Sequence, residues 1–190
     1  MKRTRRSIRL NGYDYSRPGA YFVTICTRNR MCVFGNVVGG RMVLNDCGRV
    51  VETVWEALPE HYPHIELDVF VLMPNHVHGV IWMVGAGFKP APTSGKGHGL
   101  PEIVRGFKTF SSRRINDIRR TPGVPVWQRN YFERIVRNDN ELNRIREYIA
   151  ANPTQWAFDR ENPNAADAIV APVGAGLNPS PTAKPWEINP

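Results

Sequence analysis

The order of periodicities along this chain predicts an α+β fold, a ferredoxin-like antiparallel sheet with helices packed on one face. Three observations predict it. Strand-like and helix-like runs succeed each other in the order β-α-β, β-α-β. Two of the strand-like runs abut across the short turn Pro74-Asn75, as neighbouring antiparallel strands do. The helical runs start at recognisable capping residues or at a proline.

The first strand is read over residues 21–27, a β-branched and aromatic run that follows Pro18-Gly19. Asn45 and Asp46 offer an N-cap to a helix whose inner face carries Val50, Val51, Val54, Trp55 and Leu58, and Pro59 closes it. Residues 65–73 and 77–83 are the paired strands. Glu66 and Asp68, alternating with apolar neighbours, are expected on the solvent side of the first of these. Pro101 suits the start of a long helix carrying Ile103, Phe107, Phe110, Ile115 and Ile118. A further strand or pair is expected across 126–136. Asn138, three residues before Glu141, then opens a last helix with Leu142, Ile145 and Ile149 inside, ended by Pro153.

The domain organisation follows. A basic arm occupies 1–10, one domain spans 11–160 with a flexible insertion at 85–99, and a Pro-rich, disordered tail takes 161–190. The insertion and the tail resemble each other: the ten residues from Val84 to Thr93 recur from Val173 to Thr182 with seven of ten identical. That unit is too short for a stacked repeat. Glycine codons begin GG and proline codons CC, so a peptide running from Gly-Ala-Gly to Pro-Ala-Pro can be encoded by an inverted repeat. Both segments are therefore expected to be translated copies of one palindromic DNA repeat, inserted where the fold tolerates it. Codons unable to pair into a hairpin would exclude this.

Composition narrows the partners. The 25 Lys and Arg exceed the 17 Asp and Glu by enough to give +8, which calls for a polyanion, nucleic acid first. No apolar run reaches the roughly 20 residues of a membrane span, and no clean basic amphipathic segment lies on a surface. The basic start lacks an apolar segment behind it, so no secretory signal is read and a cytoplasmic location is expected. The three cysteines, Cys26, Cys32 and Cys47, have no CxxC spacing for a zinc site.

Four groups of residues can carry chemistry. On a strand, His76 and His78 point to one face, a half-site for a divalent metal, although two histidines hydrogen-bonding at a strand end fit the same tripeptide. Tyr148 lies at the margin of the last helix's apolar stripe with Asn152 four residues on, able to offer an amide oxygen as third ligand. A packing tyrosine fits that position as well. The long helix sets Arg105, Lys108, Arg113, Arg114, Arg119 and Arg120 against only Glu102 and Asp117, a phosphate-binding face or a solvated one. Arg129 beside Trp127 and Tyr131, and Arg5 and Arg6 in the arm, extend the cationic set. Tyr131 is the rival nucleophile.

Together the motifs Tyr21-Phe22-Val23-Thr24, Met73-Pro74-Asn75-His76-Val77-His78, Val104-Arg105-Gly106-Phe107-Lys108, Trp127-Gln128-Arg129-Asn130-Tyr131 and Glu147-Tyr148-Ile149-Ala150-Ala151-Asn152-Pro153 resemble those of the REP-associated tyrosine transposases, relatives of the single-tyrosine HUH transposases. The resemblance runs from about Arg9 to Trp156. It implies that His76, His78 and Asn152 hold Mg²⁺ or Mn²⁺, and that Tyr148 attacks single-stranded DNA next to a hairpin repeat to leave a 5′-phosphotyrosine. Arg5, Arg6, Arg105, Lys108, Arg113, Arg114 and Arg129 are then DNA contacts. Paired imidazoles are softer donors than Mg²⁺ prefers, which favours Mn²⁺ or another transition metal in vitro. A non-catalytic nucleic-acid binder and a hydrolytic nuclease are the alternatives. Sequence leaves the choice between monomer and homodimer open.

Overall fold

The computed structural model describes residues 12–84 and 98–165. The basic arm with Arg5 and Arg6, most of the insertion, and the tail from 166 on lie outside the described residues, and so does nearly all of both repeat copies.

A four-stranded antiparallel sheet forms the centre, built from β1 (Gly19–Cys26), β4 (Ile65–Leu72), β5 (His76–Met83) and β6 (Phe132–Ile135) in the order β4-β5-β1-β6. Around it lie α1 (Asp46–Glu56), α2 (Leu58–His61), α3 (Leu100–Arg119) and α4 (Asp139–Ala151). The α+β class, the strand order expected of a ferredoxin-like sheet and the three long helices agree with the sequence reading. Asn45 accepts a hydrogen bond from the Gly48 amide at 2.9 Å and Asn138 from the Glu141 amide at 2.9 Å, so both expected caps form. Pro59 falls in the first turn of α2, a separate short helix, so α1 stops just before it.

One element was not anticipated. A small hairpin, β2 (Gly35–Val38) and β3 (Arg41–Leu44), precedes α1, closed by Gly39 and Gly40 at φ 56° and 71°. Two successive left-handed residues make the two-residue turn that matches strand twist, and glycine adopts them without a Cβ clash.

The layering also differs in one respect from helices on a single face. Tyr21, Val23 and Ile25 of β1, with Val77 and Ile81 of β5, pack against Val51, Val54 and Trp55 of α1 and Ile103 and Phe107 of α3. The alternate residues Ala20, Phe22 and Val80 pack against Leu142, Ile145 and Ile149 of α4. Side chains alternate faces along a strand, so α1 and α3 share one side as expected while α4 covers the other. The three α4 side chains are essentially buried, each worth about 1.5–3 kcal/mol in apolar area removed from water.

Between Leu67 and Phe70 the β4–β5 register slips: Leu67 pairs with Ile81, but Phe70 pairs with Gly79. Asp68, opposite Leu67 by ordinary alternation, faces α4, and the extra residue sets Val69 on that same side so that Phe70 rejoins Leu67 on the α1 side. Asp68 is thus not on a solvent side. Glu66, before the bulge, is exposed.

Past α4, a 3₁₀ turn (Pro153–Phe158) leads back across the end of the sheet. The folded chain passes the expected boundary at 160. Glu161 bonds Asn75 and Arg30, and Ala165 is buried.

Candidate active site

His76 and His78 sit on β5 as the period of two requires, both buried and both on the α4 face. Each has its Nδ1 engaged. His76 Nδ1–H donates to Asn75 Oδ1 at 2.9 Å, and His78 Nδ1 shares a 2.8 Å hydrogen bond with Thr24 Oγ1. Asn75 is itself fixed, its Nδ2 donating to the carbonyls of Arg30 and Glu161 at 2.9 and 2.6 Å. Orienting one ring nitrogen in this way leaves the other, Nε2, to face the site. Phe22 stacks on the His78 ring at 5.5 Å and Trp156 lies 6.0 Å from the His76 ring, so both imidazoles are walled by aromatics.

Tyr148 comes to them from α4. Its hydroxyl lies 3.4 Å from His78 Nε2. Burial, and next the Asp159 carboxylate, push its phenol up to about 12, while a hydrogen bond with Asn152 pulls the other way. Asn152 is 3% exposed, and its Oδ1 is buried with no hydrogen-bond partner among the described residues. A buried carbonyl oxygen in that state is costly, and a cation is one thing that satisfies it.

Asp159 was not singled out from the sequence. The 3₁₀ turn delivers it so that its carboxylate stands 3.9 Å from His76 Nε2, and one donor atom each from His76, His78 and Asp159 fall within 4.8 Å of one another. Two imidazoles and a carboxylate, with an orphaned amide oxygen nearby, suit a divalent cation, and the carboxylate makes the set harder than imidazoles alone. The donors present therefore fit the metal that the sequence motif implies.

The cationic residues lie elsewhere. Arg105, Arg113 and Arg129 line a groove of about 860 Å³ between α3 and the loop leading to β6, on the α1–α3 side of the sheet. Arg114 is exposed on α3 but is not among the groove's lining residues. Lys108 lines the groove, yet its Nζ donates to the carbonyls of Gln128 and Asn130, both at 3.0 Å, and clamps the loop. Tyr131 is 9% exposed in the core of that same side, beneath Lys108, so the sheet separates it from the histidines. Among the described residues no helix is long and apolar enough to cross a membrane.

No family model matches the chain. An uncharacterized protein of Haemophilus influenzae is 39% identical over 170 residues, covering 82% of this chain and 92% of that protein. A second protein of the same organism, described as a REP-associated tyrosine transposase, is 23% identical over 147 residues, 76% of each chain. The solved structure of a REP-associated tyrosine transposase bound to a REP hairpin matches with a TM-score of 0.55 at 16% identity, covering 80% of this chain and 76% of that one, a likeness of fold. The chain thus belongs to one family with the uncharacterized Haemophilus protein and is related, in sequence and in fold, to the REP-associated tyrosine transposases.

Proposed function

We propose that this protein is a metal-dependent, single-stranded DNA endonuclease and strand transferase that acts beside hairpin repeats through a 5′-phosphotyrosine at Tyr148. The observation that carries the reading is the 3.4 Å approach of the Tyr148 hydroxyl to His78 inside a cluster of metal-ligand types. The relatives named above support a role in DNA processing.

In this reading Tyr148 Oη attacks the phosphorus of a phosphodiester. The phenol gives up its proton to solvent, the Oη–P bond forms, the P–O3′ bond breaks, and the departing strand end takes a proton as a 3′-hydroxyl. The phosphotyrosine keeps the bond energy, so reversal onto a new 3′-hydroxyl needs no nucleotide cofactor. A divalent cation, Mg²⁺ or Mn²⁺, would be held by His76, His78 and Asp159, with Asn152 as a further donor, and would supply Lewis-acid polarisation of the phosphate. Thr24 and Asn75 orient the two imidazoles. Phe22 and Trp156 exclude water around them. Arg105, Arg113 and Arg129 would hold DNA phosphates in the groove, with Arg114 and the arm residues Arg5 and Arg6 as further contacts and Lys108 shaping the groove through the loop it clamps.

The test is a denaturing gel after incubating the protein with single-stranded hairpin oligonucleotides and Mg²⁺ or Mn²⁺, the hairpin encodable by the repeated decapeptide among them. Wild type is expected to form a covalent protein–DNA adduct. Tyr148→Phe, with no hydroxyl to attack, forms no adduct, and His76→Ala or His78→Ala loses the metal-stimulated adduct. Cleavage that persists in Tyr148→Phe without an adduct would instead mean a hydrolytic nuclease. Hairpin binding with neither cleavage nor adduct would mean a binding protein.

A further inference from the structure

The apolar seat of α4 is non-directional: Leu142, Ile145 and Ile149 fix how deep the helix sits on the sheet and far less its rotation or slide. Asp68 supplies direction. Facing α4 beside the β4 bulge, its carboxylate accepts from Arg146 Nε at 3.1 Å and Nη2 at 2.6 Å, from Trp82 Nε1 at 3.0 Å and from the Val69 amide at 2.7 Å. The Asp68 side chain is 12% exposed. A two-pronged guanidinium–carboxylate pair fixes orientation as well as distance.

On a helix turning about 100° per residue, Arg146 and Tyr148 flank the Ile145–Ile149 stripe on opposite sides. Any roll of α4 that loosens the Arg146 fork therefore moves the Tyr148 hydroxyl. At a radius of about 6 Å a 10° roll carries it about 1 Å, a displacement large enough to cost on the order of 10²-fold in rate.

We propose that Asp68, acting through Arg146, is a positioning residue for Tyr148, holding α4 at the rotation that sets the phenol against His78. This rests on the reading of Tyr148 as nucleophile. The pair touches neither metal donors nor groove, so its effect is confined to the rate of attack.

The test compares the full-length chain with Asp68→Asn and Arg146→Gln. The single-turnover rate of adduct formation is expected to fall about 10–100-fold while hairpin affinity and Mn²⁺ affinity stay within about twofold. The double variant is no slower than the worse single, because one fork is lost in each, and Asp68→Glu recovers part of the rate. Ile115→Val, a core change on the other side of the sheet, keeps the wild-type rate below its melting temperature. Equal rates in wild type and Asp68→Asn, or a loss confined to hairpin affinity, would overturn the proposal. Cross-relaxation between Tyr148 and His78 ring protons separates the two ideas. If wild type forms no Tyr148 adduct, the nucleophile reading fails and the proposal with it, whereas a ring contact unchanged in Asp68→Asn overturns the positioning role alone.

Discussion

Tyr148 is held as a neutral phenol by its surroundings, and that has a measurable sign. Its folded-state value, pushed up to about 12, lies above the roughly 10 of a free tyrosine. The stability this contributes is fully present below pH ~10 and is lost as pH rises through about 12. In the metal-free protein, the phenolate absorbance difference between wild type and Tyr148→Phe should therefore appear above pH 10; ionisation below 10 would contradict the packing described. Asp68 has the opposite sign. The Arg146 hydrogen bond first, then the Trp82 and Val69 donors, outweigh burial and hold its carboxyl below the usual range. Its stabilising contribution is present above the ordinary carboxylate value and disappears as pH falls through the depressed one. A strand period paired His76 with His78 and a helix period paired Tyr148 with Asn152, but only the resemblance of their motifs joined the two pairs, which the fold sets side by side. Asp159 was not legible, because a single acid beyond Pro153 has no periodicity, and only the 3₁₀ turn carries it to the histidines.

The packing of α1 on the sheet turns on a missing side chain. Trp55 stacks on Phe70 at 4.8 Å and its ring covers Gly79, where a Cβ would meet Trp55 Cζ2 at 2.4 Å. Gly79→Ala is expected to cost about 1–3 kcal/mol by overpacking. Chemical denaturation measures this, and a neutral result would mean that α1 can slide. Sequence periodicity located α1, α3 and α4 and the strands of the four-stranded sheet through their apolar spacing, and two caps through Asn45 and Asn138. The β4 bulge escaped it. Alternation in Ile65-Glu66-Leu67-Asp68-Val69 continues across the slip, and what breaks the register is the demand of Phe70 and Leu67 for the same core. The β2–β3 hairpin did leave a signal, Gly39-Gly40 between short apolar runs, the dipeptide that a two-residue turn favours.

For the molecule as a whole, the three-layer arrangement was also written in β1 and β5, whose runs Tyr21-Phe22-Val23 and Val80-Ile81-Trp82-Met83 do not alternate with polar residues. Strands covered on both faces read as continuous apolar runs. The last helix's stripe told that α4 is buried but not on which side. If the α3 groove seats DNA phosphates, Arg105→Ala, Arg113→Ala and Arg129→Ala should each weaken hairpin binding and reduce the slope of log affinity against log salt by about one. Arg49→Ala, at an α1 residue that pairs with Asp46, should leave that slope unchanged, and fluorescence anisotropy over a salt series reads both. The sheet also stands between this groove and Tyr148. A nucleic acid engaged on both sides must leave the groove and round the sheet before it meets the phenol, so its two anchoring points are a fixed contour length apart. If the protein cuts DNA as proposed, it would act as a ruler: the cut is expected at a set number of nucleotides from the base of the hairpin whatever their identity, and inserting one nucleotide between stem and cut site should shift the cleaved bond by one.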